Sequence, residues 1–380
     1  MVRQLVLFIF SAVVLLTSCG GQTARRQDGG DTVAFRYARR ISVVRHEGYT
    51  EVTLQNPWHA GKVLHRYVLV PTGQPPGALP HGATVVHTPL RRSVVFTTVH
   101  CALLAMLHRE ACIAGVADLK YIKLPFVHEG VRQGRIADCG DGMAPVIEKI
   151  IDQRPDAIFL SPFENSGGYG KVEEIDIPII ECAEYMEPTP LGRAEWMRFY
   201  GMLFGCEREA DSLFAVVDSN YHALKALARK SVNSKSVNSK SVLVDKVTGS
   251  VWYVPGGRST IGQMLQDACC RYPWQDDEHS GSVSLPFETV LERAGECDVW
   301  LFRYSADHPI SYGELLSEHA GYDQFRAFRS HEAYGCNVEL SPFYEETPFR
   351  PDWLLGDFVC MLHPDIPGLS PLRYYHKVED

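Results

Sequence analysis

Aromatic and arginine side chains recur in the loops that follow predicted strands, where they could contact a ligand. Aromatic faces suit a large planar or partly apolar molecule, and a guanidinium group suits carboxylates. A single aromatic residue at such a position could equally pack in the core. These residues are therefore better evidence for a ligand site together than singly. Gly256 and Gly257, before a predicted helix, could also cradle an anion on their backbone N–H groups. The candidate ligand-binding residues are Thr97, Thr98, Phe163, Tyr169, Tyr185, Trp252, Tyr253, Arg258, Arg303 and Tyr304.

The sequence lacks the motifs that would support catalysis. It contains no Gly-x-Ser-x-Gly, His-Glu-x-x-His, Walker A or Gly-x-Gly-x-x-Gly motif. Its 15 histidines are scattered, so a metal site at His59 with His65, or at His100 with His108, is the weaker interpretation. No two of the 11 cysteines form a Cys-x-x-Cys pair. We predict no enzyme activity, no cofactor and no metal centre, and we assign no disulfide.

The overall composition is that of a globular protein. The chain has 380 residues, of which 45% are hydrophobic and 22% charged, and its length suits two domains. The net charge of −9 and the absence of a dense basic run argue against a nucleic-acid partner. Because no apolar stretch reaches the roughly 18 residues of a membrane span, a multispan transporter is excluded.

The amino terminus has the features of an export signal. Arg3 precedes an apolar run over residues 5–16, which is too short to span a bilayer. The next residues, Leu16-Thr17-Ser18-Cys19, resemble the bacterial lipobox, and this resemblance implies a lipoprotein signal over 1–19 with acylation of Cys19. The alternative is an ordinary signal peptide with an incidental cysteine. Residues 20–32 are polar and Gly-rich, which predicts a flexible tether.

The remaining sequence predicts an α/β protein with two Rossmann-like lobes. Residues 33–90 alternate between apolar and polar side chains, which indicates two or three antiparallel strands attached to the first lobe. From Ser93 onward, short apolar runs alternate with helical stretches, as in a parallel sheet. The predicted boundaries are 33–205 for the N-terminal lobe with its strand-rich extension, 206–230 for a linker helix and 231–380 for the C-terminal lobe.

One long helix is predicted between the lobes, because apolar residues between 207 and 229 are spaced for a single helical face. Such a helix would be about 34 Å long at 1.5 Å per residue. Directly after it, Ser-Val-Asn-Ser-Lys occurs twice, at 231–235 and 236–240. Since insertions cost little in exposed loops, we expect this duplication to form a solvent-exposed loop without a function.

A similar unit occurs in both halves of the chain. Each copy is a short helix with a glutamate in its first turn, Glu148 or Glu288, followed by an apolar strand that begins with Asp156 or Asp298. The first of these helices is predicted over 145–153, with a proline in its first turn. This repetition predicts two lobes of related build.

Taken in this order, these features resemble the substrate-binding proteins of ABC importers, in the subfamily for cobalamin and iron complexes. The resemblance covers roughly residues 90–365 and is strongest over 93–117, 148–160, 287–301 and 351–364. It implies lobes joined stiffly by the helix, with a ligand cleft between them at the carboxyl ends of the strands. We therefore expect a monomeric, lipid-anchored periplasmic receptor that delivers an iron–siderophore complex or cobalamin to an inner-membrane ABC permease.

The same resemblance implies that Glu148 and Glu288 pair with arginines of the permease, one from each lobe. The alternative is that each glutamate only stabilises the amino terminus of its own helix. Within the same family haem is the alternative ligand, and a tyrosine would then coordinate the iron, with Tyr169, Tyr253 and Tyr304 as candidates. The alternative from another class is a metal-dependent envelope hydrolase.

Overall fold

The computed structural model describes residues 30–73, 79–164, 168–235 and 239–380. The predicted signal, Cys19 and most of the tether lie outside the described residues. The tether prediction is wrong at its end, because Asp31 and Thr32 form β1 (Asp31–Val33) and pair with the next strand. In the described part of the chain, no helix has both the length and the apolar character needed to cross a membrane.

The amino-terminal extension is a sheet of five strands, whereas the sequence predicts two or three. Strands β1 to β4 pair antiparallel in chain order, and β5 adds to β4 in parallel. The extra members are the three-residue β1 and the parallel β5, which lies beyond a Pro- and Gly-rich stretch that indicated only turns. The further strands are β2 (Ile41–His46), β3 (Tyr49–Gln55), β4 (Val63–Pro71) and β5 (Thr84–Thr88).

The extension is fixed to the N-terminal lobe by buried polar contacts. Two buried glutamates of the lobe, Glu187 and Glu195, accept hydrogen bonds from the five consecutive backbone N–H groups of residues 36–40, at 2.7–3.1 Å. The Tyr67 hydroxyl on β4 donates to the Ile179 carbonyl at 3.0 Å. Because these contacts satisfy buried and partly buried donors, the extension is an integral part of the lobe.

The N-terminal lobe contains a five-stranded parallel sheet in the order β12-β11-β6-β7-β8. Its strands are β6 (Ser93–Val95), β7 (Ile113–Val116), β8 (Ala137–Asp138), β11 (Ala157–Leu160) and β12 (Ile179–Glu181), and a hairpin of β9 (Gly140–Asp141) and β10 (Ala144–Pro145) projects from it. The helices are α1 (Thr98–Met106), α2 (Pro125–Arg132), α3 (Ile147–Asp152), α4 (Pro190–Glu195) and α5 (Met197–Phe204). Pro145 belongs to β10, so the prediction that it begins the helix is wrong; α3 starts two residues later.

Helix α6 (Glu207–Lys235) follows the N-terminal lobe and packs against α5 of that lobe and against a carboxyl-terminal helix of the other. Its 29 residues give a length of about 44 Å. The helix extends beyond the predicted end and includes the first copy of the duplicated pentapeptide. The prediction that the whole duplication is a loop is therefore wrong for residues 231–235, while residues 236–238 lie outside the described residues.

The C-terminal lobe has a four-stranded sheet in the order β13-β17-β18-β19, parallel except for β19, and a three-stranded antiparallel sheet, β14-β15-β16. The strands are β13 (Val242–Val244), β14 (Val247–Thr248), β15 (Val251–Pro255), β16 (Ser282–Leu285), β17 (Val299–Tyr304), β18 (Ala333–Asn337) and β19 (Tyr375–Lys377). The helices are α7 (Thr260–Asp267), α8 (Phe287–Ala294), α9 (Tyr312–Glu318), α10 (Arg326–Arg329), α11 (Phe343–Glu346) and α12 (Pro351–Leu362). Two α/β lobes joined by one long helix confirm the predicted fold class.

Candidate ligand-binding site

A cavity of about 420 Å³ lies at the carboxyl-terminal edge of the N-lobe sheet. Its lining includes the segments that directly follow β6, β7, β11 and β12. Open parallel sheets bind ligands at this edge because their loops converge there, and the volume is within the range of small-molecule sites. We call this space the N-lobe cavity.

Three of the predicted ligand residues line the N-lobe cavity. Thr97 is the N-cap of α1, Thr98 is the first residue of that helix, and Tyr185 lies in the loop after β12. The Tyr185 hydroxyl donates to the Pro162 carbonyl and so holds two of the lining loops together. Their role in binding stays a prediction.

The floor of the N-lobe cavity is a buried hydrogen-bond network centred on the Tyr200 hydroxyl. This hydroxyl donates to Glu184 at 2.9 Å and contacts His100 Nε2, also at 2.9 Å. Burial by itself would raise the pKa of the Glu184 carboxyl, but the neighbouring His100 and Arg193 lower that pKa to about 2. Glu184 is therefore ionised at neutral pH.

The same floor contains donor atoms that could hold a metal ion. His100, Cys182 and Glu184 each offer one such atom, and these atoms lie within 4.8 Å of one another. However, the Tyr200 hydroxyl already bonds both His100 and Glu184, and burial raises the pKa of the Cys182 thiol far above its ordinary value. The observed geometry is thus a closed hydrogen-bond network with a protonated thiol, which favours a structural role over metal binding.

Arg193 brings a positive charge to the cavity. It lies on α4, whose start is defined by Pro190 in the first turn and by the Thr189 side chain, which accepts from the Gly192 N–H at 3.0 Å. The guanidinium Nε is buried and makes no hydrogen bond. Burial lowers the pKa of Arg193, and Glu184 opposes that change.

A second cavity of about 230 Å³ lies between the lobes and shares Val99 and Arg193 with the first. We call it the interlobe cavity. Its C-lobe side includes Arg303 and the aromatic residues Phe343 and Tyr344, and no carboxylate is among its lining residues. The two spaces therefore meet at Arg193, and the lining of the second carries positive charge.

Contacts across the cleft hold the lobes against each other. The buried Glu345 of α11 accepts from the Thr98 hydroxyl at 3.1 Å and from the Lys123 backbone N–H at 3.3 Å. The Lys123 ammonium also pairs with Glu339 of the C-terminal lobe. In this structure the Glu345 carboxylate of the C-terminal lobe therefore contacts the first turn of α1.

Phe163 and Tyr169 line a third cavity, of about 430 Å³, on the N-terminal lobe. It has only Phe96 in common with the N-lobe cavity. The Tyr169 hydroxyl donates to Glu181 at 3.2 Å. The structure therefore separates these two predicted ligand residues from the interlobe space.

The prediction that Trp252 lies in the cleft is wrong. Trp252 is on β15 with 0% exposure, and its indole N–H donates to the Val244 carbonyl at 2.9 Å. Its ring packs among Phe287, Trp300, Tyr322 and Phe325 in the C-lobe core. The neighbouring Tyr253 points the other way and is 44% exposed, because successive side chains of a strand face opposite sides. Tyr253 lines none of the three cavities.

The segment after β15 also differs from the expectation. Arg258 is exposed and pairs with Glu278 at 2.7 Å, outside both cavities. A Cβ atom at Gly256 would come within 2.3 Å of the His279 carbonyl oxygen, so this glycine permits a close backbone approach. Because carbonyl oxygens crowd this position, the Gly-Gly pair is not suited to an anion.

The prediction that Arg303 and Tyr304 lie in a loop after the strand is wrong, because both residues are part of β17. The Arg303 guanidinium reaches the interlobe cavity but forms two hydrogen bonds with Asp245, at 3.0 and 2.7 Å. The Tyr304 hydroxyl accepts from the Ile310 N–H at 3.1 Å, and this residue lines neither cavity. Only Arg303 of this pair is therefore placed to touch a ligand between the lobes.

Glu148 and Glu288 occupy matching positions in the two lobes. Each lies in the first turn of a short helix, α3 or α8, and each is exposed. Among the described residues neither carboxylate forms an ion pair or a side-chain hydrogen bond. Both are free to contact another protein, which the sequence pattern alone could not establish.

Two further histidines and the cysteines have ordinary structural positions. His363 is buried and its Nε2 contacts the Ala268 carbonyl oxygen at 2.7 Å, while His65 contacts the Thr84 hydroxyl at 2.8 Å. The ten cysteines after Cys19 are all free thiols in the described chain, and Cys101 and Cys182 are buried as small hydrophobic residues would be.

The sequence interpretation missed Arg193, Glu184 and, as a cavity residue, His100. His100 and Glu184 lie shortly after β6 and β12, so the rule that selected Thr97 and Tyr185 applies to them too, whereas Arg193 lies on α4. The missing signal was the fold of residues 182–193, which brings a short helix with an arginine back over the sheet edge.

Two α/β lobes, one connecting helix and a cleft at the ends of parallel strands define the class of two-lobed solute-binding proteins. The model of the periplasmic binding protein family matches residues 102–337, and the chain belongs to this family. It is the substrate-binding component of an ABC importer.

Several known proteins are similar to this chain in sequence or in fold. A lipoprotein of Methanocaldococcus jannaschii without an assigned function is 25% identical over 358 residues, which are 88% of this chain and 83% of that protein. A periplasmic haem-binding protein from Pseudomonas aeruginosa has a TM-score of 0.58 at 14% identity, over 77% of this chain and 99% of that one. An Fe³⁺-hydroxamate transport protein from Saccharomonospora viridis has a TM-score of 0.54 at 19% identity, over 72% and 94%. The two structural likenesses show the shared fold.

Proposed function

We propose that this protein is a lipid-anchored extracytoplasmic receptor that captures an iron complex, of the siderophore type, or a corrinoid. The ligand would lie across the N-lobe and interlobe cavities and be delivered to a membrane permease. The observation that carries the proposal is the junction of these cavities at Arg193, at the carboxyl ends of the parallel strands. The fold of a hydroxamate-transport protein supports the ligand class.

The test is direct binding to the purified mature chain. A ferric hydroxamate, ferric citrate and cyanocobalamin are each titrated while the intrinsic tryptophan and tyrosine fluorescence is recorded. We expect saturable binding of one class, with one ligand per chain by native mass spectrometry. If none of the iron complexes or corrinoids binds, the proposed ligand class is wrong.

Haem is the second candidate ligand, favoured by the structural likeness to a haem-binding protein and by Tyr121. Tyr121 lies at the N-lobe cavity and is 64% exposed, so its phenol could reach an iron atom. Of the tyrosines predicted for this role, Tyr169 and Tyr304 have bonded hydroxyls and Tyr253 faces away from the cavities. A new visible absorption band on addition of haem, lost in Tyr121→Phe, would support haem over the other ligands.

The metal-dependent hydrolase has less support, because the family that matches this chain is one of periplasmic binding proteins. We also propose acylation of Cys19, supported by the lipoprotein among the similar proteins. If Cys19 carries the anchor, Cys19→Ala should leave the protein unprocessed or soluble. A processed Cys19→Ala protein that still sediments with membranes would contradict this anchor.

Glu148 and Glu288 are proposed as the permease-docking residues. Two exposed carboxylates on opposite lobes can orient the protein on a basic partner and increase the rate of encounter. Their lack of partners among the described residues supports this role over a purely structural one. The competing function is stabilisation of the two helix amino termini, worth about 0.3–1 kcal/mol each.

A further inference from the structure

Arg193 is a cleft cation whose charge is not matched by the surrounding side chains. Across the described residues its guanidinium forms no hydrogen bond and no ion pair with any side chain, although its Nε is buried. An arginine remains protonated even when buried, and a buried charge without a partner is costly. A folded protein tolerates such a charge when a bound ligand supplies the opposite charge.

The carboxylate that acts electrostatically on Arg193 is itself bonded to other side chains. Glu184 influences Arg193 electrostatically, but one of its oxygens accepts from the Tyr200 hydroxyl at 2.9 Å and the other lies 3.4 Å from His100 Nε2. The network beneath the cavity therefore fixes Glu184 on the floor and leaves the guanidinium free to bond something in the cavity.

The position of Arg193 also selects the kind of group it would bind. It stands where the N-lobe and interlobe cavities meet, and the interlobe cavity is lined by two arginines and no carboxylate. The second arginine, Arg303, is neutralised by two bonds to Asp245, so Arg193 is the unmatched charge of the pair. A guanidinium presents a planar set of donors that fits a carboxylate or another oxyanion with two parallel hydrogen bonds.

We infer that the ligand presents an anionic oxygen group, a carboxylate or an inorganic oxyanion, to Arg193 at the junction of the two cavities. This inference rests on the proposed function and narrows its ligand class to anionic molecules. Neutral ferric hydroxamates and cyanocobalamin would then bind weakly or not at all, whereas carboxylate chelates would bind through this residue.

The experiment compares four proteins and five probes. The proteins are the wild type, Arg193→Gln, Arg193→Lys and the matched control Arg132→Gln, which removes the same charge from an α2 side chain that is 75% exposed. The probes are ferric citrate, haem, a neutral ferric trihydroxamate, cyanocobalamin and sodium molybdate. Thermal unfolding of each variant is measured beside binding, so that a folding defect is recognised.

We expect Arg193→Gln to weaken binding of whichever carboxylate probe binds, ferric citrate or haem, by about tenfold to a hundredfold. Hydrogen bonds to charged groups contribute about 1.5–3 kcal/mol. Arg193→Lys should restore part of the affinity, because it keeps the charge but loses the paired geometry. Arg132→Gln should bind like the wild type. Binding of molybdate with the same dependence would identify an inorganic oxyanion, and binding of ferric citrate or haem without molybdate would identify a carboxylate of the ligand.

Two results would overturn the inference and leave the proposed function intact: unchanged affinity of a stable Arg193→Gln for the anionic chelates, or wild-type binding of the neutral probes alone. If only molybdate binds and the binding depends on Arg193, the anion site stands while the iron-complex and corrinoid proposal fails. If the wild type binds none of the five probes, both are wrong.

Discussion

Single residues of this protein show where sequence reasoning succeeds and where it stops. The loops after β6 and β12 were predicted from apolar runs, and Thr97 and Tyr185 do line the N-lobe cavity. The sequence places Trp252 and Tyr253 among the residues of loops that follow strands, but both lie on β15. Their residue types gave no information about which face of the strand meets the core, since that depends on the register with β16.

Trp252→Ala should destabilise the C-terminal lobe strongly. The substitution removes a fully buried indole and its hydrogen bond to the Val244 carbonyl, which for such residues costs about 3–5 kcal/mol. Tyr253→Ala, on the exposed face of the same strand, should change the free energy of unfolding by no more than about 0.5 kcal/mol. Urea denaturation of both variants measures the difference, and equal effects would contradict the core assignment of Trp252.

Glu184 should make stability depend on acid pH. Its pKa is lowered to about 2 in the folded protein, whereas an unfolded glutamate has a pKa near 4.5, so the folded state binds fewer protons in between. The stabilisation is fully present above pH about 4.5 and is lost as pH falls towards about 2. Glu184→Gln should therefore be destabilised relative to the wild type at pH 6, and the gap should narrow through this window. Urea unfolding at several pH values measures the gap; a gap that does not change with pH would contradict the assigned ionisation.

At the scale of whole elements, the sequence predicted repeating α/β units well and the extension poorly. The strands of the parallel sheets are short apolar runs, and the helices have apolar residues at helical spacing. Both patterns can be detected in the sequence. Strand β5 and the segment 36–40 depend on long-range partners, since the latter is held by two glutamates about 150 residues later in the chain. No local pattern contains that information.

Glu195→Ala should loosen the attachment of the extension. It removes the acceptor of three backbone N–H groups, those of residues 36–38, of which the Ala38 N–H is buried and the other two are partly buried. Because each hydrogen bond to a charged group contributes about 1.5–3 kcal/mol, we expect a loss of at least about 3 kcal/mol. Hydrogen exchange should show faster exchange of these three amides. Glu209→Ala, which removes an exposed carboxylate on α6, is the control and should cost at most about 1 kcal/mol.

At the scale of the molecule, the order of elements was enough to predict two lobes, one connecting helix and a cleft. The α/β pattern of the lobes and the paired glutamate helices are local features of the sequence. They can therefore be predicted without knowledge of the contacts between elements. The binding site was only partly predictable, because Arg193 and Glu345 reach the cleft through the relative placement of α4, α11 and α1. That placement follows from packing between elements far apart in the chain.

Docking to the permease should require both lobes. Reversing the charge of Glu148 and Glu288 together, with Glu148→Lys and Glu288→Lys, should abolish ligand uptake by cells, and each change alone should reduce it. Ligand affinity of the purified protein should not change, because neither residue lines the N-lobe or the interlobe cavity. Increasing salt should weaken docking of the wild type, since exposed charges are screened over about 8–10 Å.

The matched control for that double reversal is Glu174→Lys with Glu296→Lys. These residues are also exposed, one on each lobe, and the substitutions change the net charge by the same amount. A docking role predicts normal uptake with this control, because position and not total charge matters. Equal loss of uptake in both double variants would instead indicate a general effect of charge on the encounter. Normal uptake with Glu148→Lys and Glu288→Lys would show that the two lobes meet the permease through other residues, even if the protein binds its ligand as proposed.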